Sequence, residues 1–193
     1  MPYRKTEFRA GHYYHLYNRG VNRQRIFFCD ENWGYFVKRI RHYFRPELVD
    51  VVAYCLMPTH YHLLVYLKTG DLSKEVMQPF GLSYTKAVNR QQERVGPLFQ
   101  GPFEAVWVDR DEYLLHLSRY IHLNPVTAGL VRRPEEWTFS SYRDYVGLRQ
   151  GTLPVPGVVL SQFGSREAYR EFVESYRDRD LEVIGHLLLD REG

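Results

Sequence analysis

Cysteine is scarce in this sequence. Its 193 residues hold two, Cys29 and Cys55, both in apolar surroundings and with no CxxC spacing. That excludes a disulfide framework and a thiolate zinc cluster, and it predicts two free thiols in a reducing compartment. Long hydrophobic runs are missing too. No stretch approaches the roughly 20 apolar residues of a membrane span. The basic opening MPYRKTEFRA has no apolar segment behind it, so no secretory signal is read. A glycine-rich phosphate loop of the Walker type is absent, which leaves no cradle for a nucleoside triphosphate. No internal repeat and no low-complexity tract occurs. With 44% hydrophobic and 25% charged residues, the composition is that of a soluble protein with one sizeable core.

Acidic residues are few at the front of the chain. Residues 1–45 carry ten basic and three acidic side chains, net +7, whereas residues 161–193 carry five basic and eight acidic, net −3. The overall charge of +3 hides this asymmetry. A basic front points either to a polyanionic partner or to an ordinary solvated surface. An acidic tail suits competition with such a partner for the front.

The patterns along the chain alternate between strand and helix. Residues 12–19 (HYYHLYNR) read as a strand that ends in the turn residues Asn18-Arg19-Gly20. Asp30 is placed to cap a helix whose apolar stripe is Trp33, Phe36, Val37, Ile40 and Phe44, with Pro46 as the stop. Leu48–Leu56 and His60–Leu67 read as two strands of a hairpin. Asp71–Arg94 reads as mostly helical, with Gly81 as a candidate interruption. Phe103–Val108 is a further strand. Asp109 and Glu112 form a capping-box pattern for a helix that Asn124-Pro125 should close. The order β-α-β-β-α-β-α predicts an α+β fold, a ferredoxin-like split βαβ antiparallel sheet with helices on one face. Gly147–Gly157 reads as a linker. The expected division is a domain over 1–147, then a linker and a helical C-terminal extension over 148–193.

The chemistry gathers around His60 and His62. Residues two apart on a strand share a face, so the two imidazoles project side by side, with Tyr61 opposite. Such a pair can hold one divalent cation, or it can be two hydrogen-bonded histidines of no catalytic consequence. On the later helix Tyr120 and Asn124 are four apart and share a face. A tyrosine hydroxyl, with a reference pKa near ~10, attacks a phosphodiester usefully only when the phosphate is polarised. His116 precedes Tyr120 by one turn, and His122 lies off that face; neither is assigned a catalytic role.

Several segments resemble the IS200-like, single-tyrosine transposases of the HUH class, closest to the REP-associated branch. They are Tyr14-His15 with Asn18-Arg19-Gly20; the run from Ala53 to Leu64 (AYCLMPTHYHLL); Leu98-Phe99-Gln100-Gly101; Tyr120 to Val126 (YIHLNPV) running on to Ala128-Gly129-Leu130-Val131; and Ser140-Ser141-Tyr142. The resemblance covers about residues 10–147. It implies that His60 and His62 bind the metal, that Asn124 is the third ligand, that Tyr120 is the nucleophile, and that the cation is Mg²⁺ or Mn²⁺. The implied reaction cleaves single-stranded DNA, usually marked by a hairpin, to a 5′-phosphotyrosine and a free 3′-OH, and then rejoins it. Asn18, Arg19, Arg23 and Arg25 would contact the DNA, with nearby aromatics such as Tyr13, Tyr14 and Tyr17 offering faces for stacking; Phe27 and Phe28 read as core. The expected location is the cytoplasm, beside the nucleoid. Relatives with one tyrosine per chain often pair, so a homodimer stays open.

Four positions depart from that family pattern. Pro102 and Glu104 stand where a basic residue is more common, Thr127 where an arginine is common, and Thr59 where an asparagine is usual. Fewer cations weaken attraction to phosphate. The alternative that Pro102, Glu104 and Thr127 motivate is a catalytically silent DNA-binding protein derived from such a transposase. A metallohydrolase that does not use Tyr120 is a third reading.

Overall fold

The computed structural model describes residues 6–176 and 180–188. Four strands form one sheet: β1 (His12–Arg19), β2 (Val49–Met57), β3 (His60–Leu67) and β4 (Glu104–Val108), in the order β2-β3-β1-β4. Every pairing is antiparallel. This is the split βαβ pattern expected from the sequence. β1 and β3 take the central places, so the two histidines of β3 lie in the middle of the sheet.

The crossover helices α1 (Asp30–Tyr43) and α2 (Gln78–Gln91) share one face, as expected. Phe36 anchors that layer, its ring 4.7 Å from Tyr84, 5.0 Å from Phe80 and 5.2 Å from Tyr61. Alternation along β3 sends Tyr61, Leu63, Val65 and Leu67 into this layer. The other face is not left to solvent. It is covered by α3 (Asp111–Thr127) and by the short helices α4 (Tyr142–Tyr145), α5 (Gly157–Leu160), α6 (Arg166–Glu174) and α7 (Asp180–Ile184). Leu114, Leu117 and Ile121 of α3 pack with Ala53, Cys55 and Leu64 of the sheet and with Tyr169, Val173, Ile184 and Leu187 from the extension. The second apolar layer explains why β2 is buried almost throughout and lacks the alternation of a half-exposed strand.

Several boundaries differ from the sequence reading, each for a local reason. The helix expected over Asp71–Arg94 opens with a π-helical turn, Leu72–Met77, capped by Asp71, whose carboxylate accepts from the amides of Ser73 and Lys74. Gly81 lies inside α2 without breaking it. The capping box at Asp109 is not formed: α3 begins at Asp111 after an extended Arg110, with no side-chain cap. Pro125 does not close α3 either. A proline removes only one donor, and the helix runs on to Thr127. The stop is Gly129, at φ +67°. The Gly129 amide donates to the Val126 carbonyl and the Leu130 amide to the Pro125 carbonyl, each at 2.9 Å, which is the Schellman arrangement. No atom stands within 4 Å of a Cβ added at Gly129, so only the left-handed backbone opposes a side chain there. Gly129→Ala is therefore expected to cost about 1 kcal/mol and to lower Tm by about 2–4 °C in a thermal melt.

The segment expected as a linker is tied down. Arg149 donates to the Asp144 carboxylate at 2.6 Å and to the Tyr54 hydroxyl at 3.0 Å. The Val155 amide donates to the Val51 carbonyl on the outer edge of β2. Farther along that edge, the Leu56 amide donates to the Phe139 carbonyl and the Ser141 amide to the Tyr54 carbonyl. An edge strand otherwise presents unpaired amides, and here the chain covers them itself. Among the described residues, no helix is long and apolar enough to cross a membrane.

Candidate active site

The face of β3 opposite α1 and α2 carries His60, His62 and Leu64, and α3 lies over it. Tyr120 and Asn124, one turn apart on α3, come down onto the two histidines. Asn124 Oδ1 is 3.3 Å from His60 Nε2. The Tyr120 ring meets His62 edge-on, with centroids 5.4 Å apart. The His60 and His62 rings are 5.0 Å apart and nearly perpendicular. All four residues thus meet between one strand and one helix.

His62 is fully buried, and its Nε2 has no hydrogen-bond partner among the described residues. A buried polar atom left without a partner is costly unless something else satisfies it. Burial holds the His62 pKa well below the usual histidine value, and the neighbouring His60 and His15 press it the same way. The His60 pKa is also lowered, first by burial, with Arg19 adding to the effect and the Asn124 hydrogen bond opposing it. Both rings are therefore neutral at pH 7, the form that offers a nitrogen lone pair to a metal. Thr59 Oγ1 lies 3.0 Å from His60 Nδ1. A hydroxyl both donates and accepts, so it satisfies His60 in either tautomer.

Among the described residues, no group of three or more His, Cys, Asp or Glu side chains is placed to hold a metal. The donor set on offer is two imidazoles and one amide oxygen. These three fit one divalent cation whose remaining positions go to oxygen ligands from outside the chain, and the unsatisfied Nε2 of His62 is the observation in favour.

His15 was not assigned a role from the sequence. It lies on β1 with the same facing as His62, and its Nε2 is 3.0 Å from His62 Nδ1. Its other nitrogen, Nδ1, is 2.6 Å from the Leu187 carbonyl. Burial lowers its pKa to about 4. A histidine one residue out of phase with the apolar Tyr14–Leu16 face of the strand was the available signal. His116 shares Tyr120's side of α3 by spacing, yet it is engaged with Arg119 at 2.8 Å and with the Phe172 ring. His122 is fully buried between Tyr169 Oη, 2.7 Å away, and Ser141 Oγ, 2.8 Å away.

The expected DNA-contacting residues do not all share one surface. Arg19 faces the α3 side, directly opposite His60 in the β1–β3 register, and its Nε donates to Gln100 Oε1 at 2.6 Å. Asn18 points to the other face. It is 8% exposed, donates to the Gly101 carbonyl and accepts from the Arg19 amide. It thereby fixes the strand end that carries Arg19. Arg23 and Arg25 are exposed on the loop after Gly20. The Gly20 amide donates to the Thr59 carbonyl and the Ile26 amide to the Pro58 carbonyl, which fastens this loop to the turn just before His60. Gly20 itself is required: a Cβ there would stand 2.2 Å from the Gln24 carbonyl oxygen. The aromatic platform is not there. Tyr14 and Tyr17 are buried, and Tyr13 packs on Tyr66, because β1 is a central strand with both faces covered. Phe27 is core, as expected.

Comparison with known proteins follows the same line. No family model matches the chain. A Haemophilus influenzae protein named "Putative REP-associated tyrosine transposase" is 28% identical over 103 residues, which is 48% of this chain and 58% of that one. The match thus spans little more than half the length of that relative. A solved REP-associated tyrosine transposase bound to a REP hairpin superposes with a TM-score of 0.59 at 19% identity, covering 76% of this chain and 86% of that chain. The likeness read in the motifs is met on both counts: this chain resembles a REP-associated tyrosine transposase in sequence, and it has the fold of one.

Proposed function

We propose that this protein is a metal-dependent DNA strand transferase of the transposase type, with Tyr120 as nucleophile and single-stranded or hairpin-containing DNA as substrate. The observation that carries the reading is the meeting of Tyr120 and Asn124 with His60 and His62, where a buried His62 nitrogen is left unsatisfied. The sequence relative named as a tyrosine transposase and the fold neighbour bound to a hairpin support it.

His60, His62 and Asn124 would hold Mg²⁺ or Mn²⁺ through two nitrogens and one oxygen. The bound cation supplies Lewis-acid polarisation of the scissile phosphate. Imidazole ligands suit Mn²⁺ better than Mg²⁺, which prefers an oxygen shell. Tyr120 Oη attacks phosphorus and loses its proton. The bond from phosphorus to the 3′ oxygen of the upstream nucleotide breaks, and that oxygen leaves as a 3′-OH once protonated. The downstream strand stays on Tyr120 through its 5′ phosphate. Attack by a 3′-OH reverses the sequence, so the phosphodiester energy is conserved and no nucleotide triphosphate is required. Arg19, beside His60, and Arg23 and Arg25, on the loop fastened before it, supply positive charge for the DNA backbone. Asn18 serves by holding the Arg19 end of β1.

The alternative of a silent DNA-binding protein draws on Glu104, which is exposed on β4 opposite Tyr17 in the register and sets a carboxylate on the α3 side of the sheet. A denaturing gel separates the two. Protein, Mn²⁺ or Mg²⁺ and labelled single-stranded hairpin oligonucleotides from the DNA flanking the gene are mixed and denatured. The expected result is a slow, label-bearing band that EDTA removes. Binding in a gel shift with no such band, across both metals, would favour the silent binder.

A further inference from the structure

A metal-binding imidazole is useful only if the nitrogen aimed at the metal carries the lone pair. In a neutral ring the partner of the other nitrogen decides this. The hydrogen-bond chain behind His62 has one consistent reading. The Leu187 carbonyl can only accept, so the proton between it and His15 belongs to His15 Nδ1, across 2.6 Å. A neutral imidazole has one N–H, so His15 Nε2 is an acceptor. The next contact, 3.0 Å to His62 Nδ1, therefore takes its proton from His62. His62 Nε2 is then left with a lone pair. It is this buried atom that has no partner among the described residues. This hydrogen-bonded series contains no carboxylate; the Leu187 carbonyl favours a charged His15, and the full burial of both rings outweighs it.

We infer that His15 is a positioning residue: by accepting from His62 Nδ1 it holds His62 in the tautomer that keeps the lone pair on its buried, unpartnered Nε2, while the Leu187 carbonyl sets His15. The backbone at the end of the extension thereby orients a ring on the central strand 125 positions earlier in sequence. This inference rests on the metal reading above for its purpose, though not for its geometry. It also gives the C-terminal extension a part in building the site beyond covering the sheet.

The test uses the full chain, Mn²⁺ alone as probe, and two substitutions. His15→Gln keeps an acceptor for His62 and a donor for Leu187; His15→Phe keeps ring bulk and has neither. Isothermal titration should show Mn²⁺ affinity falling about 10–100-fold in His15→Phe and staying within about threefold of the unsubstituted protein in His15→Gln. Imidazole ¹⁵N shifts of the metal-free protein should place the His62 proton on Nδ1 in the unsubstituted protein and in His15→Gln, with that preference lost in His15→Phe. Equal loss in both variants would mean that ring packing, not the hydrogen bond, matters, and would overturn the inference. A His62 proton on Nε2 in the unsubstituted protein would overturn it without any variant, even if His15→Phe fails to fold. A protein that takes up no Mn²⁺ but shows His62 protonated on Nδ1 would support the relay and sink the metal reading, so the two fail separately.

Discussion

Tyr120→Phe should abolish the covalent protein–DNA adduct, with a loss on the order of 10³-fold or more, while hairpin affinity stays within about threefold. The substitution removes one oxygen. The ring, which packs edge-on against His62 and lies 6.5 Å from His15, is retained, so the fold and the proposed metal ligands keep their packing. A residue that only filled space would tolerate this change. Two measurements check it: the denaturing gel for the adduct and a gel shift for binding. Cleavage persisting in Tyr120→Phe with no adduct would point to water as the nucleophile and restore the hydrolase reading. Loss of binding along with the adduct would place Tyr120 in DNA recognition instead. Adduct formation by the variant would remove Tyr120 from the chemistry altogether.

Folding stability should fall steeply in mild acid. His122 is fully buried between Tyr169 and Ser141, and burial pushes its pKa down from 6.5 to about 3. With the folded value below the unfolded one, the unfolded chain takes up the proton first. Stability is then full above about pH 6.5 and is lost as pH falls toward 3. A shift of this size corresponds to a penalty on the order of 5 kcal/mol once both states are protonated. His15, pushed down to about 4 by burial, adds in the same direction. Domains hold only about 5–15 kcal/mol in total, so cooperative unfolding is expected between about pH 6 and pH 4. Urea midpoints measured across pH 4–8 would read the slope directly. His122→Gln, which keeps hydrogen-bonding capacity without the charge, should flatten it. Midpoints that are level from pH 7 to pH 4 would show that His122 titrates as an exposed histidine does.

Much of the frame was legible along the chain because its signals are local. The period of two in HYHLLVYL marks β3 over His60–Leu67 and puts both histidines on one face. A spacing of four aligns Tyr120 with Asn124 on α3. The aromatic run HYYHLYNR is β1 to the residue. These patterns depend only on backbone geometry within a few residues. They suffice for the element order, and with it the split βαβ topology.

Other features were beyond such patterns. Pro125 reads as a terminator, but the glycine in the left-handed region four residues later ends the helix. The aromatics of β1 read as surfaces for stacking, yet they are divided between two covered faces, Tyr14 in the layer of α1 and α2 and Tyr13 in the layer of α3 and the extension, and composition alone does not show whether a strand is covered on both sides. The facing of Asn18 away from Arg19 follows from strand alternation, but its task of fixing Gly101 depends on a loop 83 positions away. The clearest case is His15. Its contacts, His62 at 47 positions and Leu187 at 172 positions along the chain, belong to no local period. The sequence by itself determined which strand and helix bear the candidate residues and which face each one takes, because periodicity is written residue by residue. Only the tertiary structure decided which nitrogen of His62 stays open, because a neutral ring's tautomer follows from its partner, and that partner is brought there by the folding of the whole chain.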